Sequence, residues 1–167
     1  MTLAEAAARA DGLAQEGSER ELAQLRTQWA DELESAARSP DYRERAVAYR
    51  AIGQFRFRQK LELLTRGLED ESPAARGSAL ISLELLSREH PGAVNAVRPL
   101  LHRTLSDPEE NSAVRRLAMV CLKNASPARD TIVLLQGLAS DDDEHDRELK
   151  ATAKRVADLL TKKSRTR

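Results

Sequence analysis

One pattern recurs along this chain and limits what it can fold into. Leu64-x3-Leu68-x-Asp70, Leu101-x3-Leu105-x-Asp107 and Leu134-x3-Leu138-x-Ser140 share a layout, the second copy 37 residues after the first and the third 33 after the second. Leucines four apart share one helix face, and an Asp or Ser two residues further on suits a turn. Each turn is followed by a basic residue, a small residue three later and an apolar or small one four beyond that. The sets are Arg76-Ala79-Leu83, Arg115-Ala118-Leu122 and, more loosely, Lys150-Ala153-Ala157. A further copy, Arg45-Ala48-Ile52, follows a long helical segment containing Trp29 and Leu33. The pattern predicts four helical hairpins over residues 19–161, each obliged to bury its apolar side against a neighbour.

Local signals agree with hairpins. Thr2 with Glu5, and Ser18 with Glu21, have capping-box spacing, which predicts helices over 3–15 and 19–37. Ser39-Pro40, Ser72-Pro73, Asp107-Pro108 and Ser126-Pro127 each pair a favoured N-cap with a proline at the first helical position. Helices are therefore expected from about 40, 73, 108 and 127, with others inferred near 57, 92 and 143. No stretch alternates with period two for long enough to make a strand. Ala and Leu supply 50 of the 167 residues and aromatics only 3%, a composition of packed helices.

Charge and cysteine content exclude several classes of function. The chain has 27 basic and 27 acidic side chains, so its net charge is zero, which argues against a general polyanion binder. Cys121 is the only cysteine; it lies in the apolar run LAMVCL and is expected to be a buried thiol. The first residues lack a signal-peptide apolar core, and no run of about 18 apolar residues suggests a membrane span. A soluble, cytoplasmic chain is expected, as a monomer or weak homodimer.

The leucines ending the first helix, the Asp in the turn and the Arg-x-x-Ala opening the second, as in LLTRGLEDESPAARGSALISL, resemble the HEAT repeat family. The resemblance implies an all-α fold, a right-handed α-α superhelix in the form of a short solenoid. It places a capping or mobile helix at 1–17, the repeats at 18–161 and a basic tail at 162–167. In that family the turn Asp and the helix Arg form a polar ladder, which here implies roles for Asp70, Arg76, Asp107 and Arg115. Asp70 and Arg76 have the usual separation of six; Asp107 and Arg115 are eight apart because PEENSA lengthens the turn.

In HEAT-like arrays the second helices line the inner face. At 100° per residue, Ala75, Ala79, Ser82, Leu83 and Leu86 point into the stack. Ala74, Gly77, Ile81, Glu84 and Arg88 point away. The equivalent outward sets are Arg43, Ala46, Arg50 and Gly53; Ala113, Arg116, Val120 and Lys123; and Glu148, Ala151, Arg155 and Asp158. This face carries six cations and three anions. Ile81 and Val120, flanked by small residues and by Arg50, Arg116 and Arg155, form the expected apolar centre of a protein-binding groove. The expected partner is a protein with an acidic or mixed surface.

Catalytic motifs are missing from the sequence. There is no HExxH, Walker A loop, GxGxxG or GxSxG. Glu89-His90 and Glu144-His145 reverse the His-Glu order of HEAT-like di-iron hydroxylases, and there are only two such pairs. His102 has no acid at metal-ligand spacing. Asp141-Asp142-Asp143-Glu144 lacks the spaced ligands and glycine of a calcium loop. No catalytic residue, metal or cofactor is expected. The alternative is a nucleic-acid-binding HEAT-like protein, possibly a DNA glycosylase-like enzyme, which calls for a strongly basic face and free aromatic side chains. All five aromatics, Trp29, Tyr42, Tyr49, Phe55 and Phe57, lie in the N-terminal portion, where Trp29 and Phe55 suit a repeat junction. The final KKSRTR is expected to be a frayed, solvated tail.

Overall fold

The computed structural model describes residues 1–166. Ten α-helices and one 3-10 turn account for the regular structure, with no strand among the described residues. The helices are α1 (Leu3–Glu16), α2 (Glu19–Ala37), α3 (Tyr42–Gln54), α4 (Leu61–Gly67), α5 (Pro73–Ser87), α6 (Pro91–Asn95), α7 (Arg98–Ser106), α8 (Ser112–Leu122), α9 (Arg129–Ala139) and α10 (Arg147–Arg165). This is the all-helical, HEAT-like class of fold expected from the repeats. The chain divides into two compact units, residues 1–86 and a second beginning at Ser87.

The first unit holds the hairpins α2/α3 and α4/α5, with α1 packed on α2 and α3. Leu3, Ala6, Ala7, Ala10 and Leu13 give α1 one buried stripe, so this helix is docked. An ion pair from Asp11 to Arg56, at 2.8 Å, ties it to the end of α3. Arg56 itself lies in the left-handed region at φ 54°, where its amide closes on Gly53 O and the Phe57 amide on Ile52 O. This is a Schellman-type helix end formed without glycine. The unit's aromatic core contains Trp29, Tyr49, Phe55 and Phe57, whereas Tyr42 is exposed.

The close crossing of α3 and α5 is built on Gly53 and Ser82. The Ser82 hydroxyl donates to Tyr49 O at 2.5 Å and accepts from the Gly53 amide at 2.9 Å. A Cβ on Gly53 would lie 2.8 Å from Ser82 Cα, a contact that cannot be relieved by turning a side chain. Gly53→Val is therefore expected to lose roughly 1–3 kcal/mol in urea melts by forcing the helices apart. Gly12 supplies the contrast, since nothing lies within 4 Å of a methyl added there. Gly12→Ala should gain up to about 1 kcal/mol from helix propensity.

The second unit contains α6, the pair α7 and α8, and the hairpin α9/α10. The helix expected near 92 is broken at Ala96–Val97. Proline at 99 cannot donate to Asn95 O, and its ring would clash with that carbonyl. The side chain of Asn95 accepts instead from the Ser126 amide at 3.0 Å and from Arg98 Nη2 at 2.7 Å. Cys121 is fully buried within this core and enters no disulfide.

Several expected boundaries shift for local reasons. The Thr2–Glu5 capping box forms, but Ser18 makes no side-chain cap bond. Pro73 begins α5 as expected, while Pro40, Pro108 and Pro127 lie in the connections ahead of their helices. Asp41, Asn111 and Asp146 are the N-caps actually used, each accepting from amides of the first turn. At the other end, Lys162 to Arg165 continue α10, so that part of the expected tail is helical. Lys163 Nζ donates to Lys123 O at 3.1 Å and Ala125 O at 2.9 Å. It thereby supplies a cation to the carbonyl end of α8.

Candidate functional site

Two arginine rungs fix how second helices are held. Arg45, at the start of α3, binds the Asp70 carboxylate in two parallel bonds, Nε to Oδ2 at 2.8 Å and Nη2 to Oδ1 at 3.0 Å. Its third nitrogen, Nη1, donates to Ser39 O and Pro40 O at the end of its own hairpin turn. Burial works to raise the Asp70 pKa. Hydrogen bonds from Arg45 and the Ser72 amide, with the charges of Arg45 and Arg76, outweigh it and hold the carboxyl below its ordinary value.

Arg115 repeats this arrangement in the second unit. Its Nε donates to Leu105 O at 2.9 Å and its Nη1 to Glu144 Oε2 at 3.1 Å. The Asp146 amide, and after it Arg115, keep the Glu144 carboxyl below its ordinary value against the opposing effect of burial. Each rung therefore runs from one hairpin's second helix to the turn of the next. The expected partners within a hairpin are placed differently: Arg76 Nη1 donates to the backbone oxygen of Asp70 at 2.6 Å, and the Asp107 carboxylate accepts from the Glu109 amide at 2.9 Å. Spacing pointed to Asp70 and Arg115, but it missed Arg45 and Glu144 as their partners. An acid in the turn of the hairpin that follows an Arg-bearing helix is the signal that finds both.

The outward residues of α8 and α10 line one groove of about 390 Å³. Ala113, Arg116, Leu117 and Val120 come from α8, and Glu148, Ala151, Thr152 and Arg155 from α10. Six of these eight belong to the outward sets read from the sequence; Leu117 and Thr152 do not. Ala113 and Ala151 keep the groove open, and Val120 and Leu117 give it an apolar lining. Arg116 Nη1 lies 3.2 Å from Asp146 Oδ2, with its Nε 3.8 Å from Glu148 Oε1, so this guanidinium is braced against the start of α10. The Leu149 amide and the Ser112 side chain hold the Asp146 carboxyl below its usual range, with a contribution from the charge of Arg116. Arg155 is exposed, as is Arg88, while Lys123 is half-buried.

In the first unit the remaining residues are placed less uniformly. Ile81 is 37% exposed and Gly77 half-buried. Arg43 is exposed, with its guanidinium 5.5 Å from the centroid of the Tyr42 ring. Arg50 is half-buried, and its Nη1 is enclosed with no hydrogen-bond partner. Two residues of the expected outward face are turned in. Gly53 meets Ser82, and Glu84 is only 9% exposed. For Gly53 the physical reason is that a 100° projection describes a helix about its own axis, whereas the approach of α3 to α5 decides which turns the neighbour covers.

Residues 30–104 match the family model of HEAT repeats. Over that stretch the chain consists of HEAT repeats. The matched stretch runs from the last turns of α2 into α7, and the Arg115–Glu144 rung beyond it follows the same design as Arg45–Asp70. None of the curated proteins matches the chain. Elsewhere in the repeats, His102 Nε2 lies 2.9 Å from Thr131 Oγ1, and burial lowers its pKa against the opposing charge of Asp130. No group of three or more His, Cys, Asp or Glu side chains gathers as a metal site among the described residues. No helix among them is long and apolar enough to cross a membrane.

Proposed function

We propose that this chain is a non-enzymatic scaffold that holds a protein partner in the α8/α10 groove. HEAT repeats commonly serve as protein-interaction scaffolds. The observation that carries the reading is the groove itself, where Val120 and Leu117 lie between the small residues Ala113 and Ala151. Arg155 stands at its rim without an ion pair among the described residues. A partner with an acidic or mixed surface suits it: an apolar side chain enters between the alanines while a carboxylate takes the Arg155 guanidinium. Burial of Trp29, Tyr49, Phe55 and Phe57 supports protein over nucleic acid, because those rings are not available to stack on bases.

Val120→Glu combined with Arg155→Glu tests the reading in affinity capture from the native organism. Arg116 is left intact because it braces Asp146. The expected result is at least a tenfold loss of partner, about 1.4 kcal/mol, with the circular dichroism of the chain unchanged. Undiminished capture by the folded double variant discards this groove. Salt-sensitive binding of DNA at physiological ionic strength would favour the nucleic-acid reading instead.

A further inference from the structure

A second pair of surfaces, one in each unit, carries opposite charge. In the first unit a groove of about 1210 Å³ lies where the start of α1, the end of α2 and the start of α3 meet. Four acids line it, Asp31, Glu32, Glu34 and Glu44, against the two arginines Arg38 and Arg43. Glu34 is committed to Lys60 at 2.6 Å, but Asp31, Glu32 and Glu44 enter no ion pair among the described residues. Val47, 39% exposed, gives the groove an apolar point that nothing in its own unit covers.

The complement lies on α10, on the side carrying Lys154, Arg155, Asp158, Leu159 and Lys162. Three cations stand against one anion there, and Leu159 projects among them at 47% exposure. Lys154 pairs only with Asp158 on its own helix, at 2.8 Å, a contact that an exposed site gives up at little cost. Acid surplus around an exposed valine is thus complementary to cation surplus around an exposed leucine.

We propose that a second copy of this chain seats the Leu159 face of α10 in the acidic groove of α1, α2 and α3. Leu159 packs on Val47, while Lys154 and Lys162 lie against Glu32, Glu44 and Asp31. The contact is heterologous, since each copy contributes a different surface. Its charged rim makes the association weaken as salt rises.

Sedimentation of the full chain tests this with two charge-reversed variants. One carries Glu32→Lys and Glu44→Lys in the groove; the other carries Lys154→Glu and Lys162→Glu on α10. Wild type is expected to associate reversibly at concentrations up to about a millimolar, and each variant alone to stay monomeric. Mixed together they should associate with each other at equal stoichiometry, because each retains the surface the other has lost and the two reversed surfaces are themselves complementary. All four reversals in one chain should restore association. Should either variant lose its helical signal, Val47→Ser and Leu159→Ser replace the pair in the same mixing experiment. A wild type that is monomeric throughout, variants that associate like wild type, or a mixture that stays monomeric would each overturn the proposal. Val120→Glu, which belongs to the α8/α10 groove, should leave this association unchanged and so separates the two surfaces.

Discussion

Asp70→Ala is expected to cost about 3–5 kcal/mol in urea or thermal melts, the usual penalty for removing one partner of a buried ion pair. The side chains of Arg45 and Asp70 are only 11% and 6% exposed. Deleting the carboxylate leaves the enclosed guanidinium with no acceptor for Nε and only the exposed Glu71 carboxylate, 3.7 Å away, beside Nη2. It also removes the acceptor of the Ser72 amide, which helps set the turn into α5. Acid should reproduce part of this loss in the wild type. The folded-state pKa of Asp70 is depressed from 3.8, so its contribution is fully present above that unfolded value and disappears as pH falls through the folded one. Wild-type stability should therefore decline as pH drops below about 4, and the Asp70→Ala variant should decline less steeply.

Leu122→Ala should cost about 2–5 kcal/mol, from lost transfer energy and from the cavity left behind. Leu122 is fully buried at the end of α8, on the inward side with Val114, Ala118 and Met119. Helices of 11 residues such as α8 draw their stability from such packing more than from propensity. Val133→Ala is the control, because Val133 is 56% exposed on α9 and its truncation should stay within about 0.5 kcal/mol. Comparable losses for the two variants would mean that α8 does not bury the face assigned to it.

The hairpin pattern was legible because it depends on local periodicity. Ala75, Ala79, Ser82, Leu83 and Leu86, read as one stripe, are all buried. What local spacing does not encode is the partner brought in by stacking. Arg45 reaches Asp70 across 25 residues and Arg115 reaches Glu144 across 29, while the sequence suggested pairs six or eight apart. Lys163 likewise finds carbonyls 38 and 40 residues earlier, which is why a run that looks like a solvated tail holds the end of α8. Start signals competed at close range: Asp41 and Asn111 overtook Ser39 and Asp107 because they stand directly before the first amides they cap. The outward set lines the α8/α10 groove, where Ala113, Glu148, Ala151 and Arg155 are exposed while Arg116 and Val120 are half-buried. The projection failed at Gly53, where the approach of α3 to α5 governs burial, and at Glu84, which is turned in.

Site-specific photo-crosslinking tests the binding account most directly. A benzophenone side chain placed at Ala113, on the exposed lip of the α8/α10 groove, is compared in cells of the native organism with one at Gln136, exposed on α9. The account predicts a discrete protein adduct from Ala113 that is lost with Val120→Glu and Arg155→Glu, and none of that mass from Gln136. Equal labelling at both positions, or an Ala113 adduct that survives the two substitutions in a folded chain, would contradict it.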